Sequence, residues 1–166
     1  KLKILDYGSN LLTVSNLTNK IDTSKFKFFI FDPFLPKRFT KYKFKNIDYE
    51  VSSDERKILK NNFILINFGS SIQYQNDFFK NLEKLSFLKK KFIIFTSTPF
   101  SLSKTYTSKQ SNHENLIQKV YSLNYLINKL KSKNFKLIFK SRNKDKYISC
   151  KKQIHKTFSL NLVFKK

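Results

Sequence analysis

Residues 62–68, NFILINF, constrain the chain most, because a strand apolar on both faces is fully buried only where helices cover both sides of a sheet. Shorter apolar blocks stand at residues 2–6 (LKILD), 25–31 (KFKFFIF) and 91–96 (KFIIFT), and residues 46–51 alternate well enough for a further strand. Helical spacing fills several of the intervals. A weakly helical stretch runs to about Ile21, and Ser53 or Asp54 can cap a short helix that turns Ile58 and Leu59 inward. Asn76 and Asp77 precede Phe78, Leu82, Leu85 and Leu88 on one helical face, while Ser122 precedes Leu123, Leu126, Ile127 and Leu130 before a stop at Asn134. Two final strands follow, at residues 135–139 and 157–164. Alternation of this kind predicts an α/β fold: a doubly wound, Rossmann-like sheet of about seven strands with helices on both faces.

Residues 101–114 are polar and without periodicity, which reads as a functional loop. The total of 166 residues suits one domain, 1–166, although a chain opening on Lys1 with a strand at residue 2 also reads as an N-terminally truncated fragment. One cysteine, Cys150, excludes an intramolecular disulfide framework and fits a reducing, cytoplasmic setting. No apolar run reaches the roughly 18 residues of a membrane-spanning helix.

The formal charge is +23, a value common among proteins that meet nucleic acid or anionic membranes. Composition tempers that reading. Arginine, the residue that grips phosphate and guanine with two parallel hydrogen bonds, occurs only as Arg38, Arg56 and Arg142, and alanine is absent altogether. Lysine, asparagine, isoleucine and phenylalanine fill the vacancies, as codon drift in an AT-rich genome would produce, so the lysines are expected to be spread over the surface without a continuous stripe. Nucleic acid is accordingly the less favoured partner.

In a doubly wound sheet ligands sit beyond the carboxyl ends of the strands. The first strand ends in Asp6-Tyr7-Gly8-Ser9, where a glycine allows a tight turn and close approach to a ligand. The second ends in Asp32, placed to accept hydrogen bonds from ribose hydroxyls, although Asp before Pro33 is also an ordinary turn starter. The fourth ends in Gly69-Ser70-Ser71-Ile72-Gln73-Tyr74 and the fifth in Thr96-Ser97-Thr98-Pro99, with Gln110 later in the polar stretch.

Taken in order, ILDYGS, FIFDP, NFGSSIQY, FIIFTSTPFS and TSKQ resemble a little-characterised bacterial family of class I, S-adenosylmethionine-dependent methyltransferases, over nearly the whole chain. SSIQY and the TxTPFS block carry most of the resemblance. It implies strand order 3-2-1-4-5-7-6 with the last strand antiparallel, and S-adenosylmethionine as cofactor. It further implies Asp6, Gly8 and Ser9 near the cofactor's methionine part, Asp32 near the ribose, and Ser53 or Asp54 near the adenine. Ser70 and Ser71 would complete the cofactor side, and Gln73, Tyr74, Thr98 and Gln110 the substrate side. One departure stands out, since Gly8 is followed by Ser9, Asn10, Leu11 and Leu12 where such folds carry further glycines.

The candidate catalytic groups are Tyr74 and His113. A histidine suits general-base work at neutral pH, and a tyrosine can hydrogen-bond an acceptor hydroxyl. Two histidines and one cysteine form no ligand cluster, so no metal is expected. The sequence thus favours a methyltransferase acting on a small-molecule or glycan-precursor acceptor. A basic nucleic-acid-binding module and a catalytically inactive methyltransferase-fold partner subunit are the alternatives.

Overall fold

A computed structural model of the chain describes residues 1–8, 22–33, 40–44, 47–75, 77–86, 91–110, 113–150 and 153–166. In chain order the strands are β1 (Leu2–Tyr7), β2 (Phe26–Phe31), β3 (Thr40–Phe44), β4 (Ile47–Ser52), β5 (Leu65–Gly69), β6 (Phe92–Ser101), β7 (Tyr106–Gln110), β8 (His113–Ser122), β9 (Lys136–Cys150) and β10 (Gln153–Lys165). The helices are α1 (Glu55–Leu59), α2 (Phe78–Ser86) and α3 (Leu123–Lys131), with a 3-10 turn at Ile72–Tyr74.

The sheet runs β3-β4-β2-β1-β5-β6-β10-β9. Strands β4, β2, β1, β5 and β6 are mutually parallel, and β10 is antiparallel to both β6 and β9. Without β3 and the β7–β8 ribbon this is the order 3-2-1-4-5-7-6 with its last strand reversed, as expected from the sequence.

Register places Leu5, Phe29, Ile66 and Ile93 side by side on one face of the sheet, where they meet Ile58 of α1, Phe78 and Leu82 of α2, and Leu123, Leu126 and Leu130 of α3. The other face carries a second cluster: Phe28, Ile30, Ile47, Tyr49 and Val51. Helices on both faces were expected. The three among the described residues pack on the first face, and the helical stretch ending near Ile21 lies outside the described residues, as do Asn76 and Leu88. The capping serines and aspartates behave as their chemistry predicts: Asp54 accepts from the backbone of Arg56, and Ser122 accepts from that of Tyr125. Asn134, at φ 65°, provides the left-handed residue after α3.

The basic segment before β4 contains a strand, β3, paired antiparallel with β4. Two expectations are corrected. Within the stretch 101–114, expected as a loop, β6 continues to Ser101 and β7 and β8 form an antiparallel ribbon whose far end returns beside β6, Phe100 paired with Tyr121. Strand β6 also passes through Pro99 instead of stopping there. Beyond Thr96, opposite Gly69, it has left β5, so a missing amide there breaks no ladder with that strand.

Candidate active site

Four strands end together at the carboxyl edge of the sheet. Tyr7 closes β1 opposite Phe31, and the amide of Gly8 donates to the Phe31 carbonyl at 2.6 Å. Gly8 has φ +72°, a conformation that costs L residues energy, and a Cβ on it would lie 2.8 Å from Ser71 Oγ and closer still to Ser71 Cβ. The Ser71 hydroxyl in turn donates to the Tyr7 carbonyl at 2.7 Å in a buried setting. The turns after β1 and β5 are therefore clamped together.

Asp32 follows β2 directly, its amide bonded to the Ser52 carbonyl at the end of β4 and its side chain half-buried. Beside it, Ser52 Oγ accepts from the amide of Asp54 at 3.0 Å. The Asp54 carboxylate caps α1 and meets Arg56 Nε at 3.2 Å, and these bonds to Arg56 hold it below the usual carboxylate range. Underneath the turn, buried Asp6 accepts from Asn67 Nδ2 at 2.9 Å, and Thr96 Oγ1 reaches Asn67 Oδ1 at 3.5 Å. Asn67 is the polar residue that interrupts the apolar run of β5, and this is the bond it makes.

Beyond β5 the chain turns through Ser70, at φ 50°, into the 3-10 turn. Gln73 is buried and donates from Nε2 to Ser70 Oγ at 3.1 Å, while its Oε1 has no hydrogen-bond partner among the described residues. Gln75 Nε2 is likewise buried and unpartnered among them. The Tyr121 phenol of β8 donates to the Gln75 carbonyl at 3.4 Å, and burial pushes its pKa up to about 12. Burial, and then the nearby charge of Glu55, likewise raise that of Tyr7.

The structure brings together Asp6, Gly8, Asp32, Ser53, Asp54, Ser70, Ser71, Gln73 and Tyr74 at this edge. Ser9 lies outside the described residues. Thr98 points elsewhere: it is fully buried, and its hydroxyl is directed at the carbonyls of Thr96, at 3.2 Å, and Phe68. Gln110 and His113 face each other at the tip of the β7–β8 ribbon. Eight residue steps along β8, about 26 Å of extended strand, separate His113 from Tyr121. Sequence reasoning missed Asn67, Gln75 and Tyr121. A polar residue inside an apolar strand was the available signal for the first, and the other two carried none.

No family model matches the chain, and no curated protein does. Solved structures match over almost the full length. The N-terminal domain of EvdMO1, with S-adenosylhomocysteine bound, superimposes with a TM-score of 0.61 at 8% identity, covering 99% of this chain and 74% of that one. An S-adenosylmethionine-dependent methyltransferase from Mesorhizobium loti gives a TM-score of 0.58 at 11% identity, covering 99% and 91%. The 1,6-didemethyltoxoflavin-N1-methyltransferase of Burkholderia thailandensis, bound to 1,6-didemethyltoxoflavin and S-adenosylhomocysteine, gives 0.57 at 11% identity, covering 99% and 70%. The chain has the fold of S-adenosylmethionine-dependent methyltransferases.

Proposed function

We propose that the protein is a methyltransferase that binds S-adenosylmethionine across the carboxyl ends of β1, β2 and β4 and a small-molecule acceptor beside the turn after β5. The observation that carries the reading is the convergence of the Gly8 turn, Asp32 and the Ser52–Asp54 segment on one edge of a sheet with this strand order. The residues present fit such a cofactor. Gly8 keeps the first turn free of a side chain, and Asp32 offers a half-buried carboxylate where a ribose diol would lie. Ser53 borders the adenine side, whereas the Asp54 carboxylate is committed to its helix and to Arg56. Ser71 acts as the clamp beneath Gly8.

When bound, the cofactor supplies an electrophilic methyl group on its sulfonium. The chain contributes orientation. Gln73 and Tyr74 border the acceptor side, and the Tyr121 phenol stays protonated at neutral pH. These groups form hydrogen bonds and supply no strong base, so the rate gain is assigned to holding an acceptor oxygen or nitrogen in line with the methyl group. The small-molecule class is supported by the toxoflavin-precursor enzyme among the structural neighbours, and a glycan precursor is one such acceptor. Calorimetric titration with S-adenosylhomocysteine tests the reading; saturable one-site binding is expected, and no heat of binding at millimolar ligand, the weak end of the affinity scale, would overturn it.

A further inference from the structure

The lysines of this chain are more ordered in space than its composition suggests. Along the amino-terminal edge of the sheet each successive strand begins or ends on lysine. In spatial order these are Lys25 before β2, Lys1 and Lys3 at β1, Lys60 ahead of β5, Lys91 ahead of β6, Lys165 and Lys166 closing β10, and Lys136 opening β9. Backbone bonds join the row: the Leu2 amide donates to the Lys25 carbonyl, Ile64 to Lys3, Lys91 to Ile64, and Lys166 to Lys91, while Lys165 pairs with Lys136. Lys1, Lys3, Lys60 and Lys91 line one open cleft of about 380 Å³. Of the acidic residues nearby among the described residues, Glu83 lies 3.7 Å from Lys133, while Asp22 accepts from Ser24 and its charge acts on Lys25 at the end of the row. Asp32 and Asp54 stand at the opposite edge, about 20 Å away along a six-residue strand.

We infer that this amino-terminal edge is an electrostatic docking surface for an anionic phospholipid bilayer. The row crosses six strands, about 24 Å at ordinary strand spacing; Lys3 is half-buried with its ammonium on Asn61 at 2.8 Å, and the exposed lysines on either side of it present an extended line of positive charge to a planar surface. Its cations are lysines throughout, whereas Arg56 is bound to Asp54 and Arg142 lies over the Phe158 ring. Among the described residues the edge therefore carries no planar fork of the kind that reads phosphate and base edges in nucleic acid. Among the described residues Phe63 and Phe135, the rings nearest the edge, are buried, which leaves Phe139, exposed three residues into β9, as a lone ring and no series of rings on which successive bases could stack. A polyanion bound here would lie at the far edge from the proposed methyl-transfer site, as suits a membrane that anchors the protein and not an acceptor.

Co-sedimentation with phosphatidylcholine vesicles, with and without phosphatidylglycerol, tests the inference. Binding is expected only with the anionic lipid and is expected to fade at high salt. Each lysine near such a surface strengthens binding roughly fivefold, so the combined variant Lys60→Gln, Lys91→Gln, Lys136→Gln should bind about 100-fold more weakly, and each single variant about fivefold. Lys104→Gln, Lys109→Gln, Lys140→Gln, exposed lysines elsewhere, should bind within about threefold of the parent. All these side chains are exposed, and circular dichroism checks that the fold is kept. No binding to anionic vesicles, equal losses in the two triple variants, or tighter binding to single-stranded RNA than to vesicles would each overturn the inference.

Discussion

Ser71 occupies the space that a side chain on Gly8 would need, and its hydroxyl holds the carbonyl of the preceding residue, Tyr7, at 2.7 Å. One serine thus fixes the separation between the turns after β1 and β5, the two walls between which the proposed cofactor site opens. Gly8→Ala combines a positive φ with a steric conflict and is expected to lower stability by about 1–3 kcal/mol. Ser71→Gly removes the conflict, so Gly8→Ala should cost less in that background. Urea unfolding of both single variants and the double variant measures the coupling, and strict additivity would show that Ser71 does not set the space at Gly8.

Asp32 separates a cofactor site from a plain turn. If its carboxylate accepts hydrogen bonds from both ribose hydroxyls, Asp32→Ala loses bonds to a charged acceptor worth about 1.5–3 kcal/mol, roughly a 10-fold to 150-fold loss of S-adenosylhomocysteine affinity. If it only begins the turn into Pro33, affinity stays level and stability falls by about 1 kcal/mol or less. The backbone bond from Asp32 to Ser52 survives the substitution in both cases, so the turn persists and calorimetry isolates the side chain.

The central order of strands was legible because β1, β2, β5 and β6 are short apolar blocks separated by helix-forming or polar residues. The β7–β8 ribbon was hidden by an interrupted pattern. In it Tyr106 and Val120 are buried, but Ser108 and Gln118 face inward beside them while Ile117 is exposed, so hydrophobic alternation carries little signal. Strand β3, TKYKF, alternates lysine with other residues and offers no apolar block for a sequence reading to find, although its backbone pairs with β4. Thr98 was misread for a different reason. Thr96 and Ser97 of β6 stand opposite the single Asn161 of β10, Ser97 takes φ 49° with its amide held by Asn161 Oδ1 at 2.8 Å, and this bulge turns Thr98 into the helix-covered face. A bulge has no marker in a run such as TSTP. At the candidate site, the glycine and the strand-end acids were visible in sequence, whereas which hydroxyls would be consumed by backbone was not.

Gln73 leaves a buried carbonyl oxygen without a partner among the described residues, a cost that a purely structural side chain would not need to carry. Gln73→Met should therefore leave stability within about 1 kcal/mol of the parent, because removing a poorly satisfied polar group offsets the lost bond to Ser70. Ser71→Ala, in contrast, strands the Tyr7 carbonyl and should cost about 1–3 kcal/mol. Urea unfolding of the two variants checks the contrast, and a loss at Gln73 as large as that at Ser71 would mark Gln73 as a structural residue.

Alkaline pH provides a test of the aromatic wall behind the site. Tyr121 is buried beside Phe78 and Phe79 with its hydroxyl on the Gln75 carbonyl, and its pKa rises from about 10 in the unfolded chain to about 12 in the fold. A raised pKa means that the folded protein keeps a proton that the unfolded chain has already released. The contribution is fully present below pH 10 and is lost as pH climbs through 12, the unfolded state gaining roughly 2–3 kcal/mol over that window. Tyr7, raised in the same direction by burial, acts with the same sign. Tyr121→Phe removes the ionisable group and so should flatten this part of the decline, while losing the bond to Gln75 at a cost of about 1 kcal/mol at neutral pH. Urea unfolding of parent and variant at steps across the window measures both effects, and parallel curves for the two proteins would show that the Tyr121 phenol ionises as freely in the fold as in the unfolded chain.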